Sequence, residues 1–223
     1  MTGTSFVPVD EADQWERVYL VRHGQTEWNV QGRPQGQLDS PLTPTGIAQA
    51  RGHAVALRGE GVDAIFASPL GRARTTARII ADELGLDVVV IDDLAEVHHG
   101  HFAGLSNQDI ELRYPGALAR RAADKYRWRF PGGESYADAD VRAGRALATA
   151  RGYPARRPAL VAHAMIGRLL QRHLLGLAPE EALALRQPND VIIVVDPRTR
   201  ALGASCPTVT GSAQPRKGCR GDR

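Results

Sequence analysis

The residues that could do chemistry stand in four places, each just behind a short apolar run. Arg22 and His23 follow Tyr19-Leu20-Val21 and precede Gly24. Arg72 and Arg74 follow Asp63 to Ala67 by way of Ser68-Pro69. Glu96 comes soon after Asp87 to Ile91, and His163 directly follows Ala159-Leu160-Val161-Ala162. Two imidazoles, guanidinium groups and a carboxyl suit phosphoryl chemistry. A phosphate monoester is doubly charged, and arginine matches its oxygens with parallel hydrogen bonds. A neutral imidazole can attack phosphorus. Nearby arginines help keep it neutral by disfavouring a second positive charge. The departing alkoxide needs a proton, which a protonated glutamate can deliver. Gly24 would let the backbone approach the phosphate. The helix expected after Ser68-Pro69 would aim its N-terminal dipole at the same place. Taken singly, each feature has a plainer reading: a surface Arg-His pair, a half-buried histidine, a loop carboxylate. Their joint occurrence points to catalysis.

The elements that must position these groups alternate. Arg17 to Val21 reads as a buried strand, rich in β-formers. Thr43 to Arg58 has Ile47, Ala50, Ala54 and Leu57 at helical spacing, with Thr43 as N-cap and Pro44 at the first position. Asp63 to Ala67 is a second strand. The Ser68-Pro69 helix carries Leu70, Ala73, Ala77, Ile80 and Leu84 on one face and ends at Gly85. Asp87 to Ile91 is a third strand. Residues 105 to 130 read as helix broken at Pro115-Gly116, and Ser135 to Ala150 as another helix. The Ala159 strand is followed by a helix from about Met165 to Leu175, stopped by Gly176, and Val191 to Val195 is the last strand. This alternation predicts an α/β fold, a three-layer α/β/α sandwich on a mostly parallel sheet, whose chemistry gathers at strand ends.

The chain has 223 residues, 43% hydrophobic and 24% charged, enough for one domain with a full core. Residues 1–15 read as a disordered lead, 16–202 as the domain and 203–223 as a flexible basic tail. The formal charge of +3 is supplied wholly by Arg216, Lys217, Arg220 and Arg223 against Asp222, so the body is neutral. With few aromatic residues as well, nucleic acid is not expected as a partner. No apolar run approaches a membrane span, and the first residues lack a signal-peptide core, so a cytoplasmic location is expected. Cys206 and Cys219 both lie near the end and form neither a disulfide framework nor a zinc spacing. The run Glu96-Val97-His98-His99-Gly100-His101 could in principle bind zinc.

The order of these motifs resembles the histidine phosphatase superfamily, the phosphoglycerate mutase-like proteins. Leu20-Val21-Arg22-His23-Gly24-Gln25-Thr26-Glu27-Trp28-Asn29 is similar to its signature. Gln35-Gly36-Gln37-Leu38-Asp39, Leu42-Thr43-Pro44-Thr45-Gly46, Ser68-Pro69-Leu70-Gly71-Arg72-Ala73-Arg74, Leu94-Ala95-Glu96 and Leu160-Val161-Ala162-His163 resemble its later segments. The likeness runs from about residue 17 to 197. It implies His23 as nucleophile, Glu96 as proton donor, and Arg22, Arg72 and His163 around the phosphoryl oxygens. Asn29, Gln35 and Gly36 would assist in binding. It also implies a phosphatase working without metal or cofactor, the histidines after Glu96 being incidental, and a small-molecule phosphate ester as partner. The oligomeric state is left open, a homodimer included.

The segment from Arg113 to Tyr136 is similar to the bisphosphatase domain of bifunctional fructose-2,6-bisphosphate enzymes. By position, Arg121, Lys125 and Arg168 match basic residues used there on a distal sugar phosphate. The plainer reading of Arg121 and Lys125 is a solvated helix face. Asn107 stands where that group has a tyrosine, and Ala164 where it has a glutamine. What carries over is therefore a sugar-phosphate-like substrate, not a named one. Phosphoglycerate mutase is the enzymatic alternative, but those mutases carry a longer insertion between the acid and the second histidine, and a lysine after the acid segment that this chain lacks. A binding protein on the same fold is the third reading; retention of both His23 and Glu96 speaks against it.

Overall fold

The computed structural model describes residues 15–205. A six-stranded sheet runs in the order β3-β2-β4-β1-β5-β6. Its strands are β1 (Val18–Arg22), β2 (Ala64–Ala67), β3 (Val88–Val90), β4 (Pro158–Ala162), β5 (Ile192–Asp196) and β6 (Ala201–Ser205). The pairs β3–β2, β2–β4 and β4–β1 are parallel, and β1–β5 and β5–β6 antiparallel. The expected mostly parallel sheet is thus completed by an antiparallel edge.

Strand β1 shows why the fold has three layers. Val18 and Leu20 face one core and Tyr19 and Val21 the other. A strand covered on both faces needs apolar side chains at every position rather than at alternate ones. On one side lie α2 (Pro44–Leu57) and α3 (Gly71–Leu84). On the other lie α6 (Tyr136–Arg151) and α7 (Ala164–Leu175). Short helices α1 (Glu27–Val30), α4 (Asn107–Arg113), α5 (Ala117–Ala123) and α8 (Pro179–Ala184) fill the connections.

Local chemistry fixes the helix ends. The Thr43 hydroxyl accepts from the Gly46 amide at 3.1 Å, with Pro44 at the first position. Ser135 and Asp138 form a reciprocal cap on α6. Gly85 and Gly176 end α3 and α7 in the left-handed conformation. The break at Pro115-Gly116 is present, with Gly116 at φ 71° between α4 and α5.

Four expectations change. The second helix does not open at Ser68-Pro69 but at Gly71. Trp15 is not part of a disordered lead: it is fully buried, with the Arg151 guanidinium 4.6 Å from its ring centre. Residues 203–205 are not tail but belong to β6, so the boundary at 202 cuts a strand. That strand, Ala-Leu-Gly-Ala-Ser, is mostly exposed and lacks β-branched residues; only its pairing with β5 makes it one. The short helices α1 and α8 also went unread. The rest of the lead and of the basic tail, with both cysteines, lies outside the described residues.

Candidate active site

The ends of β1, β2 and β4 meet because these strands are neighbours running the same way. Residues Arg22, Ser68 and His163 therefore emerge at one edge. The His23 and His163 rings come together with centroids 5.2 Å apart, tilted by 56°.

Both imidazoles are buried, His23 at 3% exposure and His163 at 0%. Burial holds both well below the usual histidine range, and the positive charges of Arg72 and Arg22 push the same way. The rings are neutral, which raises the question of where each proton sits. His23 Nδ1 lies 2.8 Å from the Gly24 carbonyl oxygen. A carbonyl only accepts, so Nδ1 carries the hydrogen and Nε2 the lone pair. His163 Nε2 lies 2.7 Å from Ser68 Oγ, which also accepts from the Leu70 amide at 3.2 Å. His163 Nδ1 is buried without a protein partner among the described residues.

Arg72 lies on the inward face of α3, while Arg74, two residues on, is exposed. Its guanidinium is fixed by three oxygens: Nη1 donates to Leu38 O at 2.7 Å and Asp39 Oδ1 at 3.1 Å, and Nη2 to Gly36 O at 2.7 Å. Arg22 Nη1 donates to the Gln187 carbonyl at 3.0 Å. The Nε atoms of both arginines are buried and unpartnered among the described residues. Gln35 is tied to the Thr26 hydroxyl through Nε2 at 2.8 Å, and Asn29 Oδ1 accepts from the Thr26 amide at 3.1 Å. Gln35, Asn29 and Gly36 thus build the wall beside the arginines.

Glu96 is buried at 8% exposure, and its carboxylate accepts from three amides. Val97 donates to Oε1 at 2.9 Å, Ile166 to Oε1 at 3.2 Å and Met165 to Oε2 at 3.1 Å. The last two belong to the first turn of α7, which starts immediately after His163 and has no capping side chain of its own. Carboxyl oxygens there satisfy orphan amide donors of α7.

Two local expectations are corrected. The N-terminus of α3 is closed to a ligand, because Asp39 occupies it: the Arg72 amide is 3.3 Å from Asp39 Oδ1. And Gly24 is required by a protein contact: a Cβ there would stand 2.2 Å from the Gly46 carbonyl oxygen. Gly46 has the reciprocal problem, its Cβ falling 2.1 Å from Gln25 O. The two glycines let the loop after β1 lie directly on the start of α2.

The distal cations are close to one another. The Lys125 ammonium is pushed below its usual value by burial and by the charges of Arg121 and Arg168. Arg121 is held, not solvated: Nη2 donates to Tyr136 Oη at 2.6 Å, and the guanidinium lies 5.4 Å from the Phe130 ring centre. Arg168 Nη1 donates to Leu183 O at 3.4 Å. Lys125 itself is exposed.

Several contributors carried no recognised signal in the sequence. Asn189 Nδ2 donates to the His23 carbonyl at 2.7 Å, and Gln187 Nε2 to Leu20 O at 3.2 Å. Arg142 donates to Asp93 O at 2.7 Å, Ala95 O at 2.6 Å, Glu96 O at 3.3 Å and Glu134 Oε1 at 2.6 Å, bracing the loop that carries Glu96. The histidines after Glu96 go different ways. His99 lies 4.6 Å from Phe130 and His101 stacks on Tyr114. Among the described residues no group of three or more His, Cys, Asp or Glu is arranged to hold a metal ion.

The family model of the histidine phosphatase superfamily (branch 1) matches residues 18–203, a span that contains every group just described. The chain belongs to this superfamily. A probable phosphoglycerate mutase GpmB of Enterobacter sp. (strain 638) is 40% identical to this histidine phosphatase over 186 residues, covering 81% of this chain and 84% of that one. Among solved structures, a putative α-ribazole-5'-P phosphatase from Escherichia coli K-12 superposes with a TM-score of 0.76 at 26% identity, covering 85% of this chain and 95% of that one. A mycobacterial glucosyl-3-phosphoglycerate phosphatase gives 0.73 at 33% identity, covering 81% and 92%. The fold and the superfamily together make this chain a phosphatase-type enzyme acting on small phosphate esters. No helix among the described residues is long and apolar enough to cross a membrane.

Proposed function

We propose that this histidine phosphatase hydrolyses small phosphate monoesters through a phosphohistidine on His23. The observation that carries the reading is the neutral His23 ring, its Nε2 lone pair free and its Nδ1 hydrogen held by Gly24 O, beside nitrogens of Arg22, Arg72 and His163 that are buried and unpartnered among the described residues. Those three, with Asn29, Gln35 and Gly36 shaping the wall, seat the phosphoryl oxygens. Nε2 attacks phosphorus and the P–O bond to the alcohol breaks. The electron pair passes to the alcohol oxygen, which takes the proton of Glu96. Water then gives a proton to the Glu96 carboxylate and attacks phosphorus. The P–N bond breaks, the pair returns to Nε2, and phosphate leaves. No metal enters this cycle, and the protein works in the cytoplasm.

Sugar phosphates are the first substrate class to test. Arg121, Lys125 and Arg168 support a second anion on the alcohol, because among the described residues none of the three has a carboxylate partner. The names of the curated relatives favour a second reading, in which the phosphohistidine donates to a phosphoglycerate rather than to water.

One experiment separates these readings. Wild type and His23→Ala are given p-nitrophenyl phosphate, a sugar-phosphate panel and 3-phosphoglycerate, with and without chelator. Phosphate release and acid-labile labelling that both vanish in His23→Ala, unaffected by chelator, support hydrolysis. Formation of 2-phosphoglycerate faster than phosphate release supports the mutase. Labelling that survives in His23→Ala overturns the assignment.

A further inference from the structure

A cleft of about 390 Å³ opens beside the phosphate-binding groups, and its walls do not suit a sugar alone. Six apolar side chains line it: Trp28, Pro34, Phe102, Ile110, Leu118 and Phe130. Trp28 and Pro34 come from the segment after His23, the other four from the segment between Glu96 and Ser135. Its polar lining is Asn29, Asn107, Arg33, Arg121 and His99, with no carboxylate among the described residues that line it.

The cleft adjoins the segments that hold the catalytic groups. Asn29 belongs to both. His99 stands against Gly36, where an added Cβ would be 3.0 Å from the His99 Cβ, and the Gly36 carbonyl is the one that holds Arg72 Nη2. The His99 ring feels the charges of Glu96, Arg121 and Arg72 together. The cleft is thus neighbouring space for the alcohol of an ester whose phosphoryl group sits at His23. The aromatic wall is braced from behind: Phe102 and Phe130, which line the cleft, contact each other and Trp128 edge to face or tilted, with centroids 5.2 to 5.9 Å apart.

We propose that this cleft receives an apolar, flat ring carried by the alcohol of the substrate, so that the enzyme prefers ring-bearing phosphate esters over small polar ones. The proposal rests on the phosphatase reading and deepens it. Burying a ring between aromatic and branched side chains is favourable in proportion to the apolar area removed from water, and pairs of rings add to it. Arg33 and Arg121 at the same cleft disfavour a cationic ring, so the preferred ring is neutral or anionic. Glycerol- or ethyl-type alcohols leave most of this apolar wall uncovered.

The test compares alkyl esters of matched leaving-group ability, so that the ring is the variable. The probes are 2-(2-naphthyl)ethyl phosphate, ethyl phosphate and glycerol 3-phosphate. Expected is a kcat/KM for the naphthylethyl ester at least about tenfold above the other two, equivalent to about 1.4 kcal/mol. In Leu118→Asn and, separately, Trp28→Ala, that ratio collapses toward one. Leu118 and Trp28 are half-buried rather than core residues, and thermal melts confirm that each variant is folded. A wild-type ratio near one, or a ratio unchanged in both folded variants, overturns the proposal. His23-dependent labelling by p-nitrophenyl phosphate is run in parallel. If labelling persists while the ratio is near one, only the cleft assignment fails; if labelling is absent, the phosphatase reading fails.

Discussion

Replacing Arg142 should separate the delivery of a proton from the rest of the reaction. Its side chain is mostly buried, at 12% exposure, against Glu134 at 17%. It bonds the carbonyls of Asp93 and Ala95 before the acid and of Glu96 itself. Glu134 Oε1 accepts from Arg142 Nη2 and also from the amide of His98 at 2.8 Å. Arg142→Ala thus leaves three carbonyls short of a donor and one carboxylate short of its cation. Charge-assisted bonds are worth about 1.5 to 3 kcal/mol each, but water can reach part of this site, so about 3 kcal/mol in all is the expected loss. For a domain of this size that lowers Tm by roughly 6 to 12 °C. Catalysis responds differently by leaving group. A misplacement of about 1 Å costs on the order of a hundredfold when geometry governs the step. Ethyl phosphate needs the proton of Glu96, and its kcat/KM should fall about a hundredfold; p-nitrophenyl phosphate needs it little and should stay within about threefold. Arg142→Lys should fall between, since one ammonium cannot reproduce the guanidinium fork. Stopped-flow or steady-state kinetics on both esters, below the wild-type melting range, decide the matter. Equal losses on the two esters, or no loss on ethyl phosphate, would refute the idea that Arg142 acts through the position of Glu96.

Because His23 is held well below the usual histidine range, kcat/KM for p-nitrophenyl phosphate should keep its value down through pH 6.5, where an ordinary imidazole would be half protonated; an acid limb near 6.5 would contradict the neutral-ring assignment. Stability should fall in the same direction. His23, His53 and His163 have lowered values, so below about pH 6.5 the unfolded chain binds more protons, and each ring costs up to about 1.4 kcal/mol per pH unit until its folded value is reached. His173 opposes this, since its value is raised by Asp140 and its contribution is lost only as pH rises through that value; thermal melts from neutral to acid pH, with His163→Gln giving a shallower slope, test the balance. Gly46→Ala should lower kcat/KM about tenfold or more as its methyl collides with Gln25 O and displaces the His23 loop, whereas an active, equally stable variant would show that the two glycines are not coupled. Trp15→Ala should cost about 3 to 5 kcal/mol by chemical denaturation, because the indole is a full member of the core.

The candidate catalytic set was legible because the proposed chemistry needs particular residue types at strand ends, and Arg22-His23, Arg72, Glu96 and His163 all sit at or near such ends. The order of apolar runs and glycine stops gave the main elements as well. Three kinds of feature were not legible. The first is pairing that makes a strand of residues without strand preference, as in β6, or draws a solitary tryptophan into the core, as with Trp15. The second is occupancy of a helix terminus. The pattern Ser68-Pro69 suggested an open N-terminus on α3, but Asp39, over thirty residues earlier, folds back onto it. The helix whose first amides face the site is α7, and they hold Glu96. The third is the reason for a glycine. Gly24 reads as a ligand contact, yet its neighbour is another glycine twenty-two residues on, a relation visible only in three dimensions.

The anchoring of Glu96 has an engineering corollary. Its carboxylate hangs from its own neighbour and from α7, with no bond to α4 or α5, which supply part of the ring-lined wall. On the proposed reading, the part of the selectivity that α4 and α5 carry is therefore mounted apart from the groups that hold Glu96. Swapping the stretch that holds α4 and α5 for that of a related enzyme would re-tailor which alcohols are admitted and leave the carboxyl in register with the two imidazoles.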